Sequence, residues 1–248
     1  MQFQRWCIYI DILGFSKLWE SEQLKALGSL RKLMQAVYWI GTRVYSNEDE
    51  RLFVHQMGDG FAIVSDFGEP LLERPIAIAI ALMRSLASFE MFAAAYIAEG
   101  EFSDITGRYP KEVVGDLQDG HVVRLGAGLM TLSSVMGTAF IRAYSLKNVA
   151  PSGPFLCLSE SLRSRIPDGV PVRMIESRGV HLLSIDWVRA TIPILSDIQQ
   201  KAGLLTPSPS AIVIAVQNYF KQYPYIREKW SRVCDILEID AGRIANTH

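Results

Sequence analysis

The feature that most restricts the fold is an apolar run near the N-terminus that contains a single carboxylate. Residues 6–13 are apolar and rich in β-branched and aromatic side chains, except for Asp11. Such a run is typical of a central strand that is buried on both faces. A carboxylate inside it is costly unless its charge is offset. The run therefore predicts a buried strand and a charged partner for Asp11.

A second acidic residue lies in a predicted hairpin turn. Gly58-Asp59-Gly60 separates two apolar runs, and Asp-Gly in this position is a strong hairpin signal. Taken alone, Asp59 is an ordinary turn residue and Asp11 an ordinary cap for the helix that follows. Two carboxylates on neighbouring strands repel each other, however, so that the pair requires a neutralising group.

The order of the predicted elements brings the two acids together. After the first strand, the spacing of apolar residues predicts a helix over 22–45, the hairpin, a helix over 75–89 and a strand over 92–102. This is the split βαβ order of ferredoxin-like domains, so the predicted fold class is α+β. It has a central, mostly antiparallel sheet with helices packed on it, and the first strand neighbours the hairpin.

The remainder of the chain divides into an irregular segment, further elements and a helical tail. Residues 103–120 are interpreted as a long excursion, followed by a helix over 138–148 and later by a hairpin with Arg178 at its tip. These complete a first domain, 1–192. Residues 193–248 are predicted to form a helical extension that packs on the core or on a dimer partner.

Composition excludes several functional classes. The 248 residues are 49% apolar and 21% charged, as in ordinary globular proteins. The net charge of −1 argues against nucleic acid as a partner. The three cysteines lack metal or redox spacing, and no run is long enough for a membrane span or patterned as a signal peptide. We therefore expect a cytoplasmic protein with reduced thiols.

The paired carboxylates point to metal-assisted phosphate chemistry. Oxygen ligands suit Mg²⁺ or Mn²⁺, and Mg²⁺ takes only one or two protein carboxylates when phosphates and water fill its other positions. Two such ions, roughly 3.5–4 Å apart, can activate an attacking oxygen and stabilise a leaving one. The turn at Gly14-Phe15-Ser16 leads into a helix and offers backbone N–H groups to a polyphosphate.

At these residues the sequence resembles the class III nucleotidyl cyclases. Asp-Ile-Leu-Gly-Phe-Ser at 11–16 matches the first strand and turn of that family, and Gly-Asp at 58–59 matches its hairpin. A weaker match at 137–144 resembles the family's last strand-to-helix junction in the active site. The resemblance extends to about Trp187 and implies a cyclase core of the palm type.

The resemblance also implies a set of roles. Asp11, Asp59 and the Ile12 carbonyl would bind two divalent ions, while a ribose 3′-oxygen attacks the α-phosphate and releases pyrophosphate. The family works as a head-to-tail homodimer in which one chain supplies the metal residues and the other the residues that read the base.

The base-reading positions depart from the purine enzymes. His55 stands where adenylyl cyclases carry a Lys and guanylyl cyclases a Glu, and Ser134 stands where adenylyl cyclases carry an Asp. The chain is most similar to the bacterial pyrimidine cyclases of antiphage defence, which make cyclic UMP or cyclic CMP for a separate effector protein. The resemblance thus implies a cyclase for UTP, or alternatively CTP.

The helix that follows departs from the family as well. Ile141 and Ser145 replace an Asn and an Arg, although Arg142 could supply the transition-state cation. Arg178 lies in the region where cyclases place a cation for the terminal phosphates. Two alternatives stay open: an adenylyl or guanylyl cyclase with atypical base readers, and a catalytically silent module that binds a nucleotide.

Overall fold

A seven-stranded sheet forms the centre of the computed structural model, which describes residues 4–118, 121–133 and 135–237. In chain order the elements are β1 (Arg5–Ile12), α1 (Phe15–Ser21), α2 (Gln23–Arg43), β2 (Leu52–Met57), β3 (Gly60–Gly68), α3 (Glu73–Ala87), β4 (Ala93–Gly100), β5 (Ser103–Asp104), α4 (Lys111–Gly115), β6 (Leu117–Gln118), β7 (Val122–Leu125), β8 (Gly128–Thr131), β9 (Val135–Met136), α5 (Thr138–Val149), β10 (Leu156–Ser159), β11 (Val172–Ser177), β12 (Val180–Ile185), α6 (Pro193–Ala202), α7 (Pro209–Gln222), α8 (Pro224–Lys229) and α9 (Ser231–Leu237).

The large sheet has the strand order β11-β12-β10-β4-β1-β3-β2. Strand β1 is antiparallel to both β3 and β4, and β2 continues the sheet beyond β3. The order β4-β1-β3-β2 is that of a ferredoxin-like split βαβ unit, so the predicted fold class is confirmed. Strand β10 joins β4 in parallel, and the predicted hairpin β11–β12 extends that side.

Helix α3 is buried on all sides because other elements surround it. Every residue from Pro75 to Ala87 is buried, including the alternating Ile and Ala residues that are unusual in a helix. The helix contacts β1 and β4 as well as α2, α6 and α7. A helix enclosed in this way needs no solvent-facing side, and the buried guanidinium of Arg84 donates to the carbonyl oxygens of Trp187, Val188 and Ala190.

Helix α2 is amphipathic, but the buried side differs from the most apolar one. Its core-facing residues are small or branched: Ala26, Ser29, Leu33, Ala36, Val37 and Ile40. Four of the larger apolar residues that predict the helix are exposed instead, namely Leu24, Leu27, Met34 and Tyr38. Small residues on the inner face allow α2 to lie close to α3.

The excursion after β4 forms structure of its own. Strands β6, β7 and β8 make a separate three-stranded sheet, and β5 pairs with β9 just before α5. All three cysteines, Cys7, Cys157 and Cys234, are buried and free. Among the described residues, no helix combines the length and the apolarity needed to cross a bilayer.

Candidate active site

The two acidic residues meet at one end of β1. Asp11 lies opposite Gly60 of β3 on one side and opposite Ala94 of β4 on the other. Asp59 directly precedes Gly60 in the β2–β3 turn, so the register places the two carboxylates beside each other. Asp11 is only 7% exposed, and its position in the centre of the sheet accounts for that burial.

The glycines on either side of Asp59 have different tasks. Gly58 has a φ of 65°, which a two-residue hairpin turn requires at its first central position. Gly60 allows close approach instead, because a β-carbon there would lie 2.8 Å from the Tyr9 hydroxyl oxygen and 2.9 Å from the Ile10 carbonyl oxygen. Together they bring the turn tightly against the end of β1.

A lysine from α5 is the charged partner of Asp11. The Lys147 Nζ atom lies 2.7 Å from Asp11 Oδ2, and the Tyr9 hydroxyl donates to Asp11 Oδ1 at 3.3 Å. Burial, followed by the charge of Asp11, raises the pKa of Tyr9, so this phenol stays protonated as a donor. One cation and one neutral donor thus satisfy Asp11 within the chain.

The sequence reasoning missed Lys147, although a signal for it exists. Phe140, Tyr144 and Lys147 follow the i, i+4, i+7 spacing of one helix face. In the structure the rings of Phe140 and Tyr144 lie 6.4 and 5.1 Å from that of Tyr9. Lys147 continues the apolar face of α5 that packs on the strand carrying Asp11. This spacing is the sequence signal that predicts Lys147 as the partner of Asp11.

Asp59 is less well compensated than Asp11. Burial raises its pKa, the neighbouring Asp11 raises it further, and Lys147 lowers it. A hydrogen bond with its own backbone also lowers that pKa. The pair therefore keeps a preference for an additional cation.

A cavity of about 320 Å³ opens beside the carboxylates. Its lining combines the end of β1, the β1–α1 turn, the end of α5 and residues of α8: Asp11, Ile12, Leu13, Gly14, Phe15, Ser16, Lys17, Asp59, Lys147, Ser152, Tyr225, Ile226, Lys229 and Trp230. All six predicted residues of the metal site and the phosphate-binding turn thus line one cavity. The size suits a triphosphate with part of its nucleoside.

The donor set fits a hard divalent cation. Among the described residues, no group of three or more His, Cys, Asp or Glu side chains is placed to hold a metal. Mg²⁺ needs only one or two carboxylates when substrate phosphates and water complete its shell, and Mn²⁺ accepts similar oxygen ligands. Asp11, Asp59 and the Ile12 segment offer such a partial shell, whereas a structural Zn²⁺ site would need more protein ligands.

Three other predicted residues, His55, Arg142 and Arg178, are described and do not line this cavity. His55 of β2 is half-buried against Phe102, with ring centroids 6.1 Å apart, and burial lowers its pKa. Arg142 donates to the Glu99 carbonyl oxygen at 2.9 Å, and Arg178 donates to that of Asn148. Ser134 lies outside the described residues. The predicted roles of these four residues stay predictions.

Comparison with known proteins identifies the fold. No protein-family model matches the sequence, and no curated protein aligns with it. A dimeric guanylyl cyclase domain of the RhoGC fusion protein from the aquatic fungus Blastocladiella emersonii matches with a TM-score of 0.50 and 14% identity, covering 75% of this chain and 96% of that chain. The monomeric form of a double mutant of that domain matches with a TM-score of 0.52 and 13% identity over the same shares.

A bacterial light-regulated adenylyl cyclase matches with a TM-score of 0.49 and 10% identity, covering 81% of this chain and 56% of that chain. At the identity of the two fungal structures, similarity establishes the fold alone. The chain therefore has the α+β fold of nucleotide cyclase domains, with its paired carboxylates at the end of the central strand.

Proposed function

We propose that the protein is a nucleotide cyclase of the class III type. The observation that carries the proposal is the meeting of Asp11 and Asp59 beside a cavity, on a fold shared with guanylyl cyclase domains. Two carboxylates at the ends of neighbouring strands are an expensive arrangement for stability alone. Because the two carboxylates are incompletely neutralised, they favour the binding of a further cation, as metal-assisted phosphoryl transfer requires.

In this proposal the chain's own residues hold and orient the substrate. Asp11, Asp59 and the Ile12 carbonyl would hold two Mg²⁺ or Mn²⁺ ions, which supply activation of the ribose 3′-oxygen and stabilisation of the leaving pyrophosphate. Backbone N–H groups of Gly14, Phe15 and Ser16 would position the phosphates. Attack of the 3′-oxygen on the α-phosphate forms the cyclic ester and breaks the bond to pyrophosphate.

We further propose that the working unit is a homodimer. His55 and Arg178 do not line the cavity that contains Asp11 and Asp59 of the same chain. A second copy would bring such residues to the open side of that cavity, as the sequence resemblance implies. One structural relative is a dimer, described as non-canonical, which supports dimerisation of a domain with this fold but not a particular arrangement of the two copies.

The proposed substrate is UTP, with CTP as the second choice. His55 carries neither the Lys of adenylyl cyclases nor the Glu of guanylyl cyclases, and its lowered pKa keeps the imidazole neutral. A neutral imidazole carries one donor and one acceptor. Because Nε2 of His55 is buried without a hydrogen-bond partner in the described part of the chain, Nδ1 is the ring nitrogen that would meet a base edge in this proposal. Following the resemblance to pyrimidine cyclases, the cyclic product would act as an antiphage alarm signal on a separate effector.

The test is an assay of the purified protein with each of the four nucleoside triphosphates and Mn²⁺, with products resolved by mass spectrometry. We expect cyclic UMP to form fastest and Asp59→Ala to abolish it. Cyclic AMP or cyclic GMP as the main product would overturn the base assignment alone. If no triphosphate is cyclised, and the variant behaves as the wild type does, the cyclase proposal is wrong.

A silent nucleotide-binding module is the second candidate, and one observation favours it. Ile141 and Ser145 stand where the family has an Asn and an Arg, and Arg142 is held by the Glu99 carbonyl. Such a module would show a thermal shift with a triphosphate and Mn²⁺ but no turnover. The two measurements together therefore separate the candidates.

A further inference from the structure

Helix α8 of the C-terminal extension forms one wall of the candidate site. Tyr225, Ile226, Lys229 and Trp230 line the same cavity as Asp11 and Asp59. The sequence reasoning assigned no chemistry to this extension. Because α8 lies beside the carboxylates, its residues can contact a ligand in the cavity in addition to the metal residues and the β1–α1 turn.

The extension is fixed firmly at this position. The ring of Trp230, 2% exposed, stacks on Tyr219 with centroids 5.2 Å apart and meets the edge of Phe92 at 5.7 Å. The Phe92 carbonyl in turn accepts a hydrogen bond from the Leu13 N–H at 2.9 Å, directly after the end of β1. An aromatic cluster thus couples α8 to the strand end that carries Asp11.

The three lysines that line the cavity differ in the contacts that their ammonium groups make. Lys147 is paired with Asp11, and the Lys17 ammonium lies over the Tyr225 ring, 4.2 Å from its centroid. Lys229, which lines the cavity, forms no ion pair with any described residue. Since Lys147 offsets one of the two carboxylates, Lys17 and Lys229 leave the wall near α8 with an excess of positive charge.

We infer that Lys229, together with Lys17, forms a subsite for the terminal phosphates of the nucleoside triphosphate. This inference rests on the proposed function and deepens it. The carboxylates attract cations and repel phosphate, so phosphate oxygens that no metal ion neutralises need a cationic wall. Helix α8 supplies that wall within the same chain, and an ammonium group on a flexible stem donates charge-assisted hydrogen bonds to phosphate oxygens.

The test compares Lys229→Gln with Lys221→Gln, a matched change on α7 at an exposed position that does not line the cavity. Binding of inorganic tripolyphosphate in excess Mg²⁺ is measured by calorimetry, and KM and kcat are measured with the preferred triphosphate. A lost charge-assisted contact should weaken binding and raise KM by roughly tenfold. We expect kcat to stay near wild type and Lys229→Arg to recover most of the affinity.

The outcomes separate this inference from the cyclase proposal. If the wild type binds tripolyphosphate, Lys229→Gln weakens that binding and no triphosphate is cyclised, the subsite stands and the cyclase proposal falls. If the enzyme cyclises a triphosphate but Lys229→Gln matches Lys221→Gln in KM and in tripolyphosphate affinity, the subsite is wrong. An Arg variant as weak as the Gln variant would equally contradict a role for the charge.

Discussion

A pair of buried or half-buried carboxyl groups lies at each end of strand β1. The two pairs differ in the kind of cation that neutralises them. At the C-terminal end of β1, Asp11 and Asp59 lie beside Lys147 and face a cavity. At the other end, Glu69 follows β3 and Glu99 lies opposite Trp6. There the Glu69 carboxylate pairs with Arg74 and the Glu99 carboxylate pairs with Arg165.

Arg165 binds several acceptors at once, although one carboxylate oxygen of each glutamate, Oε1, is buried without a hydrogen-bond partner among the described residues. Its guanidinium pairs with the Glu99 carboxylate at 2.7 Å and donates to the backbone carbonyls of Glu69 and Pro70. Arg74 pairs with Glu69 and also with Glu50. Even so, burial raises the pKa of Glu69 to about 7 despite the lowering effect of Arg74.

The kind of cation at each end of β1 indicates whether that end has a structural or a functional role. A planar guanidinium with several fixed acceptors is a permanent counter-ion, because replacing it means breaking several hydrogen bonds at once. A lysine on a flexible stem can leave its carboxylate when a stronger cation arrives. We therefore interpret the ion pairs at the end with Arg165 as structural. At the end with Lys147, the exchangeable end, a metal ion can replace the lysine.

The largest effect is expected from Arg165→Met at the structural end. Removal of the guanidinium leaves the Glu99 carboxylate buried without its partner, which should lower the free energy of unfolding by about 3 kcal/mol. Urea denaturation measures it. The control is Arg163→Met in the same 3₁₀ turn, an exposed position that should change stability little. Equal losses in both variants would contradict the structural assignment.

A smaller and different effect is expected from Lys147→Met at the exchangeable end. A divalent ion must compete with an ammonium 2.7 Å from Asp11 Oδ2, so removal of that charge should tighten Mn²⁺ binding by roughly tenfold, or about 1.4 kcal/mol. Calorimetric titration of Mn²⁺ measures the change. Lys147→Arg keeps the competing charge and should keep the wild-type affinity. Unchanged affinity in Lys147→Met would show that the lysine does not occupy the metal position.

The sequence predicts one of these ends far better than the other. Asp11 interrupts an apolar run and Asp59 occupies a recognisable turn, so both could be found from local pattern and strand order. Glu69, Glu99 and Arg165 carry no such signal. Their contacts join residues distant in the chain, which only the folded sheet brings together.

Helix faces were similarly hard to predict where burial depends on neighbours. The large apolar residues of α2 suggest a core face, but the structure buries Ala26 and Ala36 and exposes Leu24 and Tyr38, because α3 lies close to the small residues. In the extension, sequence pattern predicts helices but not that Lys229 reaches the cavity. That position depends on aromatic contacts of Trp230 with residues far away in the sequence.

The smallest expected effect concerns Asp59 and its dependence on pH. The folded protein holds the pKa of this carboxyl above its ordinary value, so the protonated form favours folding. That contribution is complete in acid below the ordinary carboxyl pKa and is lost as the pH rises through the raised one. At neutral pH without metal, Asp59→Asn should therefore stabilise the protein by about 1 kcal/mol, as changes at functional sites often do.

Thermal denaturation in EDTA at neutral and at acid pH tests this sign. The gain of Asp59→Asn over wild type should shrink as the pH falls, because the wild-type carboxyl then becomes protonated and neutral as well. Asp11→Asn is the matched control at the same end of β1: it removes the partner of Lys147, and should give no comparable gain. A gain that persists unchanged in acid would mean that neither burial nor the neighbouring Asp11 disfavours the charge of Asp59 in the folded chain, and the exchangeable end would lose its electrostatic basis.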